Sequence, residues 1–295
     1  MGEACPGPAG AVLYVADVSV HAWHPPVPGI AEVFHARFTA HAYPAHVHDT
    51  WALMVLDGGR VDFALERERH GVGVPRAGAP DTVVLLPPGV AHDGRTVTEA
   101  GFRKRVLYLE ADVLAPALTG AAVGSPLLRD AALRERVHGL HLLLGEAASA
   151  HEGPTAERLE AESRLAFIAQ RLRERLTGRQ QAPYAPPGAG LGVRLRELLD
   201  ARLVEGITLA EATAVLGHVH PTHLIRVFRQ AYGLPPHAYL TGRRIESARR
   251  LLLAGMAPAE VAGAAGFYDQ AHLTRHFRRH VGTTPARFAR SGRAG

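Results

Sequence analysis

Three histidines and two short arginine-bearing segments carry the chemistry legible in this chain. His46-x-His48 follows Pro44, and His92 closes the segment Pro87-x-Gly89-x2-His92. Three imidazoles could bind Zn²⁺, Fe²⁺ or Ni²⁺ with one position open. The same residues could equally line an effector pocket, and that is the reading adopted: no metal and no cofactor are expected. The second set lies in the last third of the chain. Thr222, Ile225 and Arg226, and Gln270, Ala271, Thr274 and Arg275, have the chemistry to read base edges. Arginine bonds guanine in bidentate fashion, glutamine suits adenine, and Ile225 or Ala271 can meet a thymine methyl. His223, Arg229, Arg243, Arg244, His272, Arg278 and Arg279 are assigned to phosphates. No residue is assigned a catalytic role.

The elements that must position the second set repeat. Residues 207–239 and 256–288 align without gaps at an offset of 49, sharing A-E-x5-G-x5-H-L-x-R-x-F-R-x3-G-x2-P. Such regularity marks a tandem supersecondary unit. Each copy reads as helix, glycine turn, helix, a helix-turn-helix in outline, over 207–232 and 256–281. Thr208 and Glu211 form a capping box, Pro221 and Pro258 occupy first helical positions, Asp269 is an N-cap, and Gly233 and Gly282 close the second helices. Ala238–Ala254 reads as one connecting helix of about 25 Å. A rod of that length could hold two recognition helices about one duplex turn apart.

The histidines belong to a region of different periodicity. Over 31–110 the apolar residues alternate, as in Phe34–Ala40, and short runs end in turn residues. Trp51–Leu56 and Val61–Leu65 read as a hairpin around Asp57-Gly58-Gly59, and Val83–Leu86 and Arg105–Glu110 as further strands. From Ser125-Pro126 the period becomes helical, and a second amphipathic helix runs over about 155–176, packing on the barrel or forming a dimer seam. Residues 178–192 read as a linker. The expected parts are a segment 1–30, a barrel 31–110, a helical region 111–177, the linker, and a helical domain 193–295 that buries its own core. His21, His24, His35, His41 and His70 are expected at exposed or strand-surface positions without a role.

Composition limits the functions this architecture can serve. The chain has 295 residues, 47% of them hydrophobic and 21% charged, a globular balance long enough for two domains. Residues 191–295 hold 15 arginines against seven acidic residues, a net +8, while the remainder carries −3. A basic third on an acidic body points to polyanion binding. Cys5 is the only cysteine, which excludes an intramolecular disulfide and CxxC motifs. No apolar run approaches a membrane span, and MGEACPGPAG lacks the basic start of a signal peptide. A soluble, cytoplasmic protein is expected. Lys104 is the only lysine, and the arginine bias reads as GC-rich coding.

Residues 207–290 resemble the DNA-binding domain of AraC/XylS-type transcription regulators. The first unit supplies G-x5-H-L-x-R-x-F-R, the connecting helix P-x2-Y-L-x3-R-I-x2-A-x2-L-L, and the second unit A-G-F-x-D-Q-x-H-L-T-R-x-F-R. Two departures are His220, where a Ser or Thr N-cap is usual, and Phe288, where Tyr is common. The histidine segments resemble the two cupin motifs, except that Ala52 and Leu53 stand where metal-binding cupins carry a Glu. The resemblance implies a two-domain α+β fold, a cupin-like β-barrel with flanking helices followed by an all-α double helix-turn-helix domain. It further implies sequence-specific binding of double-stranded DNA, a small-molecule effector, a homodimer and contact with RNA polymerase. A cupin-type metal-dependent enzyme with a helical appendage is the alternative. A nonspecific architectural DNA binder is a third reading, weakened by residues suited to base reading.

Overall fold

In the computed structural model, residues 18–66, 68–75, 80–149, 155–177 and 190–292 are described. Cys5 and residues 178–189 of the linker lie outside them. The N-terminal half is antiparallel: β1 (Ser19–Trp23), β2 (Ile30–Phe38), β3 (Ala42–His46), β4 (Trp51–Leu65), β5 (Glu68–Gly73), β6 (Thr82–Leu86), β7 (His92–Thr96), β8 (Phe102–Leu109) and β9 (Leu127–Arg129). One sheet runs β1-β2-β8-β4-β6-β9, and β4 also pairs with β5 and with β7, which in turn pairs with β3.

Strict alternation gives this barrel two apolar faces. Trp51, Leu53 and Val55 of β4 join Val33 and Leu107 on the outer face. There they pack under Val137, Leu140, Ile168 and Leu172 of two helices, α2 (Ala131–Ser149) and α3 (Thr155–Leu176), numbered after a short α1 (Thr119–Gly124). Ala52, Met54 and Leu56 point the other way, into the lumen, with Phe34, Phe63, Val106 and Tyr108.

Two sequence expectations fail here for identifiable reasons. The Asp57-Gly58-Gly59 tripeptide is not a hairpin turn. β4 runs through it, with a register irregularity against β8 between Leu56 and Gly58. Gly59 takes a left-handed φ of 76°, so the strand bends and passes from β8 and β6 to β5 and β7. The reversal comes at Glu66, with φ 54°. Nor does Ser125-Pro126 open a helix. Leu127 and Leu128 pair with Val84 and Val83 as β9. The helix begins at Ala131, where Asp130 Oδ1 accepts the Leu133 N–H at 3.0 Å.

The C-terminal part comprises α4 (Leu191–Ala201), α5 (Leu209–Val215), α6 (Pro221–Tyr232), α7 (Pro236–Leu253), α8 (Pro258–Ala264), α9 (Gln270–Val281) and α10 (Pro285–Ser291). α4 therefore starts within the expected linker. The capping box Thr208/Glu211 is formed, Asp269 caps α9, and Gly233 and Gly282 end α6 and α9 in left-handed conformations. α5–α6 and α8–α9 are the two helix-turn-helix units, joined by α7, whose 18 residues make about 27 Å.

These units do not bury separate cores. Leu224 and Phe228 of the first unit pack with Leu195 and Leu199 of α4, and with Val47 and Ala91 of the barrel. Leu273, Phe277 and Val281 of the second, with Phe288 of α10, lie in one apolar cluster with Phe34, Phe38, Phe102 and Tyr108. The expectation that 193–295 bury their own core is thus revised: the barrel lumen is closed by the DNA-binding helices themselves. Ser291 Oγ accepts the Ala22 N–H at 3.1 Å, and buried Arg249 donates to Glu32 at 2.6 Å, both across this seam.

Candidate functional site: a cavity between the domains and a nucleic-acid interface

His46 ends β3, His92 opens β7, and the two are partners in that ladder. His48 follows on the loop into β4. Their ring centroids lie 4.4 Å (His46–His92), 4.8 Å (His46–His48) and 5.0 Å (His48–His92) apart. One ring nitrogen from each falls within 4.8 Å of the others. Backbone carbonyls fix two of the rings: His46 Nδ1 donates to Pro44 O at 2.8 Å and His92 Nδ1 to Val90 O at 3.0 Å. Each Nε2 is thereby left as an acceptor. Burial, reinforced by the neighbouring imidazoles, holds His46 and His48 well below the ordinary histidine pKa. Burial also brings His92 down to about 4. All three rings are neutral at physiological pH.

The cluster opens on a cavity of about 70 Å³ in the barrel lumen, with Phe34, Met54, Phe63 and Val106 among its walls. Its other wall comes from the DNA-binding domain: Gly242, Ile245, Glu246 and Arg249 of α7, and His280 and Val281 of α9. α7 passes close to the histidines at Gly242, where a Cβ would sit in ordinary contact with His46 Cβ at 3.6 Å. Lys104 reaches in from β8, its ammonium 4.3 Å from the centre of the Tyr43 ring and 5.5 Å from that of Phe34. Among the described residues it has no carboxylate partner, and burial lowers its pKa to about 7. Among the described residues the buried Tyr43 hydroxyl has no hydrogen-bond partner. Sequence reasoning missed Lys104, Tyr43, Glu246 and His280. The signal for Lys104 was its inward place in the alternation of β8, between Phe102 and Val106.

The other histidines divide. His35, on a strand face, is half-buried: its Nε2 lies 3.1 Å from His141 Nδ1, and burial lowers its pKa to about 4. His41 stacks on Phe38, with ring centres 5.0 Å apart.

On the second helices of the units, Thr222, His223, Ile225, Arg226 and Arg229 are exposed on α6. Gln270, Ala271, Arg275, Arg278 and Arg279 are exposed on α9, and Thr274 is half-buried. The Arg226 guanidinium donates to His223 Nδ1 at 3.0 Å. His272 is taken up locally, its ring accepting the Tyr268 N–H and standing edge-on to Phe267. Two phosphate assignments are corrected. Arg243 is enclosed by Glu246 (2.5 Å), Asp49 (3.1 Å) and Asp200 (3.4 Å). Arg244 donates to the carbonyls of Leu203 and Val204. Both cations satisfy partners within the chain, because α7 is a packed strut with acidic and carbonyl groups on its flanks.

A barrel whose lumen is walled by α7 and α9 of a double helix-turn-helix domain defines the class: a DNA-binding regulator with a ligand-binding domain. Family models match on both sides, the AraC-like ligand binding domain over residues 29–166 and a helix-turn-helix domain over 194–291. The chain belongs to the AraC/XylS family of transcription regulators. No curated protein sequence matches it significantly. Among solved structures it resembles ToxT from Vibrio cholerae O395, at 9% identity and TM-score 0.53, covering 94% of this chain and 97% of that one. Apo ToxT K231A from Vibrio cholerae strain SCE256 gives 10% identity and TM-score 0.55, covering 93% and 96%. ToxT bound to (E)-4-(8-methylnaphthalen-1-yl)but-3-enoic acid gives 9% and 0.53, covering 94% and 98%. These likenesses support the fold. Among the described residues, no helix is long and apolar enough to cross a membrane.

Proposed function

We propose that the chain is a non-enzymatic switch in which a small organic acid enters the cavity near His46, His48 and His92 and alters how α6 and α9 meet DNA. The observation that carries this reading is the shared wall: anything that occupies the lumen touches α7 and α9 directly. A cavity of about 70 Å³ holds a few waters, whereas ligand pockets run to roughly 300 Å³ or more. An organic effector therefore has to displace α7 and α9 from the barrel mouth, and its binding favours a different placement of the two reading helices. The unpaired ammonium of Lys104 and the free Tyr43 hydroxyl give an anionic head group its partners in an apolar chamber. The carboxylic acid bound by ToxT has that chemistry.

In this reading Thr222, Ile225, Arg226, Gln270, Ala271, Thr274 and Arg275 read bases, and Arg229, Arg278 and Arg279 hold phosphates. Exposed Leu159 and Phe167 on α3 supply the seam of a homodimer, and RNA polymerase is met by the DNA-bound form.

The test uses the full chain, the naphthyl butenoic acid and its methyl ester. The acid should raise Tm and change affinity for a selected duplex, the ester should do neither, and Lys104→Met should abolish the response. An acid that leaves both Tm and DNA affinity untouched, or that works equally on Lys104→Met, defeats the reading.

A further inference from the structure

The histidine end of the cavity has a geometry that an organic effector does not require. His46 and His92 present Nε2 inward because their Nδ1 atoms are held by Pro44 and Val90 carbonyls. That arrangement fixes the tautomer and orientation of a metal-bound imidazole. His48 turns its Nδ1 toward Glu246 Oε1, 3.8 Å away, so a carboxylate stands behind the third ring. Glu246 is itself fixed, accepting the Asp49 N–H at 2.9 Å and bonding Arg243. A fourth imidazole faces the group from the other domain. His280, on the last turn of α9, lies with its ring centre 6.5 Å from that of His46. Its Nδ1 donates to the His276 carbonyl at 2.8 Å, leaving Nε2 free to accept.

We propose that His46, His48 and His92 form a binding site for a divalent metal ion of the Zn²⁺ type, and that His280 of α9 supplies its fourth ligand, so that the ion ties the sensor barrel to the second DNA-reading helix. Four neutral nitrogen donors suit Zn²⁺, which is tetrahedral and takes imidazole at about 2.0–2.1 Å. The glutamate that metal-binding cupins carry near the second histidine is absent, Ala52 and Leu53 occupying its place. The ligand set here would be completed across a domain boundary instead of within the barrel. A single ion fits in 70 Å³, so the domains need not part to admit it.

The surrounding charges are mixed. Lys104 and Arg249 oppose a cation. Glu246, Asp93 and Glu32 favour it, and Glu32 is already bonded to Arg249. The ion occupies the histidine end of the same cavity, so an acid that moves α9 would remove its fourth ligand, but a chain that ignores the acid could still bind the ion.

The experiment strips the full chain with chelator and titrates it with Zn²⁺ by calorimetry and with Co²⁺ by visible absorption. One ion per chain is expected, with the intense visible bands of tetrahedral Co²⁺. His46→Gln/His92→Gln should lose binding while keeping the wild-type circular dichroism spectrum. Lys104→Met should retain it, which separates this site from the effector response. His280→Gln, which keeps three ligands, should bind at least about tenfold more weakly, with altered Co²⁺ bands and a smaller rise in Tm on adding Zn²⁺. Absence of stoichiometric binding, or equal binding by the double variant, overturns the site. Unchanged affinity and spectrum in His280→Gln overturn the link between domains.

Discussion

Arg275 and Arg278 are both exposed on α9, and in the proposed reading they meet different parts of a duplex. Arg275 lies in the second turn of α9, beyond Gln270 and Ala271, where a recognition helix meets base edges; Arg278 lies farther along, nearer the backbone. Arg275→Ala should cost about 1–3 kcal/mol and relax preference at one base position. Arg278→Ala should weaken all sequences about equally and lower the salt slope by about one unit. Both are measured on a library of single-base operator changes at two salt concentrations; the reverse pattern shows the reading face to be misassigned. At this scale, residues inside one repeat were legible, because helical spacing alone tells which side chains share a face. Arg243 and Arg244 were not. Their partners Asp49 and Asp200, and the Leu203 and Val204 carbonyls, come from other segments, and an arginine in an ion pair looks in sequence like one awaiting phosphate. The same holds for the cavity. His46, His48 and His92 were visible through their motif, whereas Glu246 and His280 reach them from the far third of the chain.

Helix boundaries were readable wherever the backbone demands a particular residue type. Proline at first turns, Asp269 at an N-cap and glycine in the left-handed closing position all stand where local rules place them. Even His220, an unusual cap, performs the task weakly, its ring nitrogen accepting the Thr222 N–H at 3.3 Å. Asp269 Oδ1 takes the His272 N–H at 2.6 Å, the shorter bond and one to a charged acceptor. Asp269→Ala is therefore expected to destabilise the protein by about 1 kcal/mol, and His220→Ala by less. Urea unfolding of the two variants decides it, and an equal or larger loss for His220→Ala contradicts the ranking. Strands were less legible for a matching reason. A glycine pair reads as a turn, yet within β4 it is a bulge, and only pairing with β8 on one side and β5 and β7 on the other distinguishes the two. β9 was lost in the same way, because Leu127 and Leu128 suit a helix face as well as they suit a ladder beside β6.

Across the whole molecule, the barrel and the second helix-turn-helix unit share one core, and Gly282 sits where the two press together. It closes α9 with φ 85°, and a Cβ there would fall on the ring of Phe38, itself fully buried in the barrel. Gly217 is the internal comparison. Its φ is 96°, but nothing lies within 4 Å of where its Cβ would stand. Alanine at either position incurs the left-handed backbone penalty of about 1–2 kcal/mol. At Gly282 alone it also forces Phe38 or α9 to move, and overpacking of this kind adds about 1–3 kcal/mol. Gly282→Ala should therefore be the more destabilising by about that difference. It should also uncouple the halves. Trp23 and Trp51 report the barrel by fluorescence, whereas far-ultraviolet dichroism is dominated by the helices. In the wild type, denaturant transitions followed by the two signals should coincide, because the lumen residues and the second unit lie in one apolar cluster. In Gly282→Ala the helical signal should fall first, while Gly217→Ala should keep a single, slightly shifted transition. Equal losses in the two variants, or separate transitions already present in the wild type, would show that the barrel and the DNA-binding helices unfold independently.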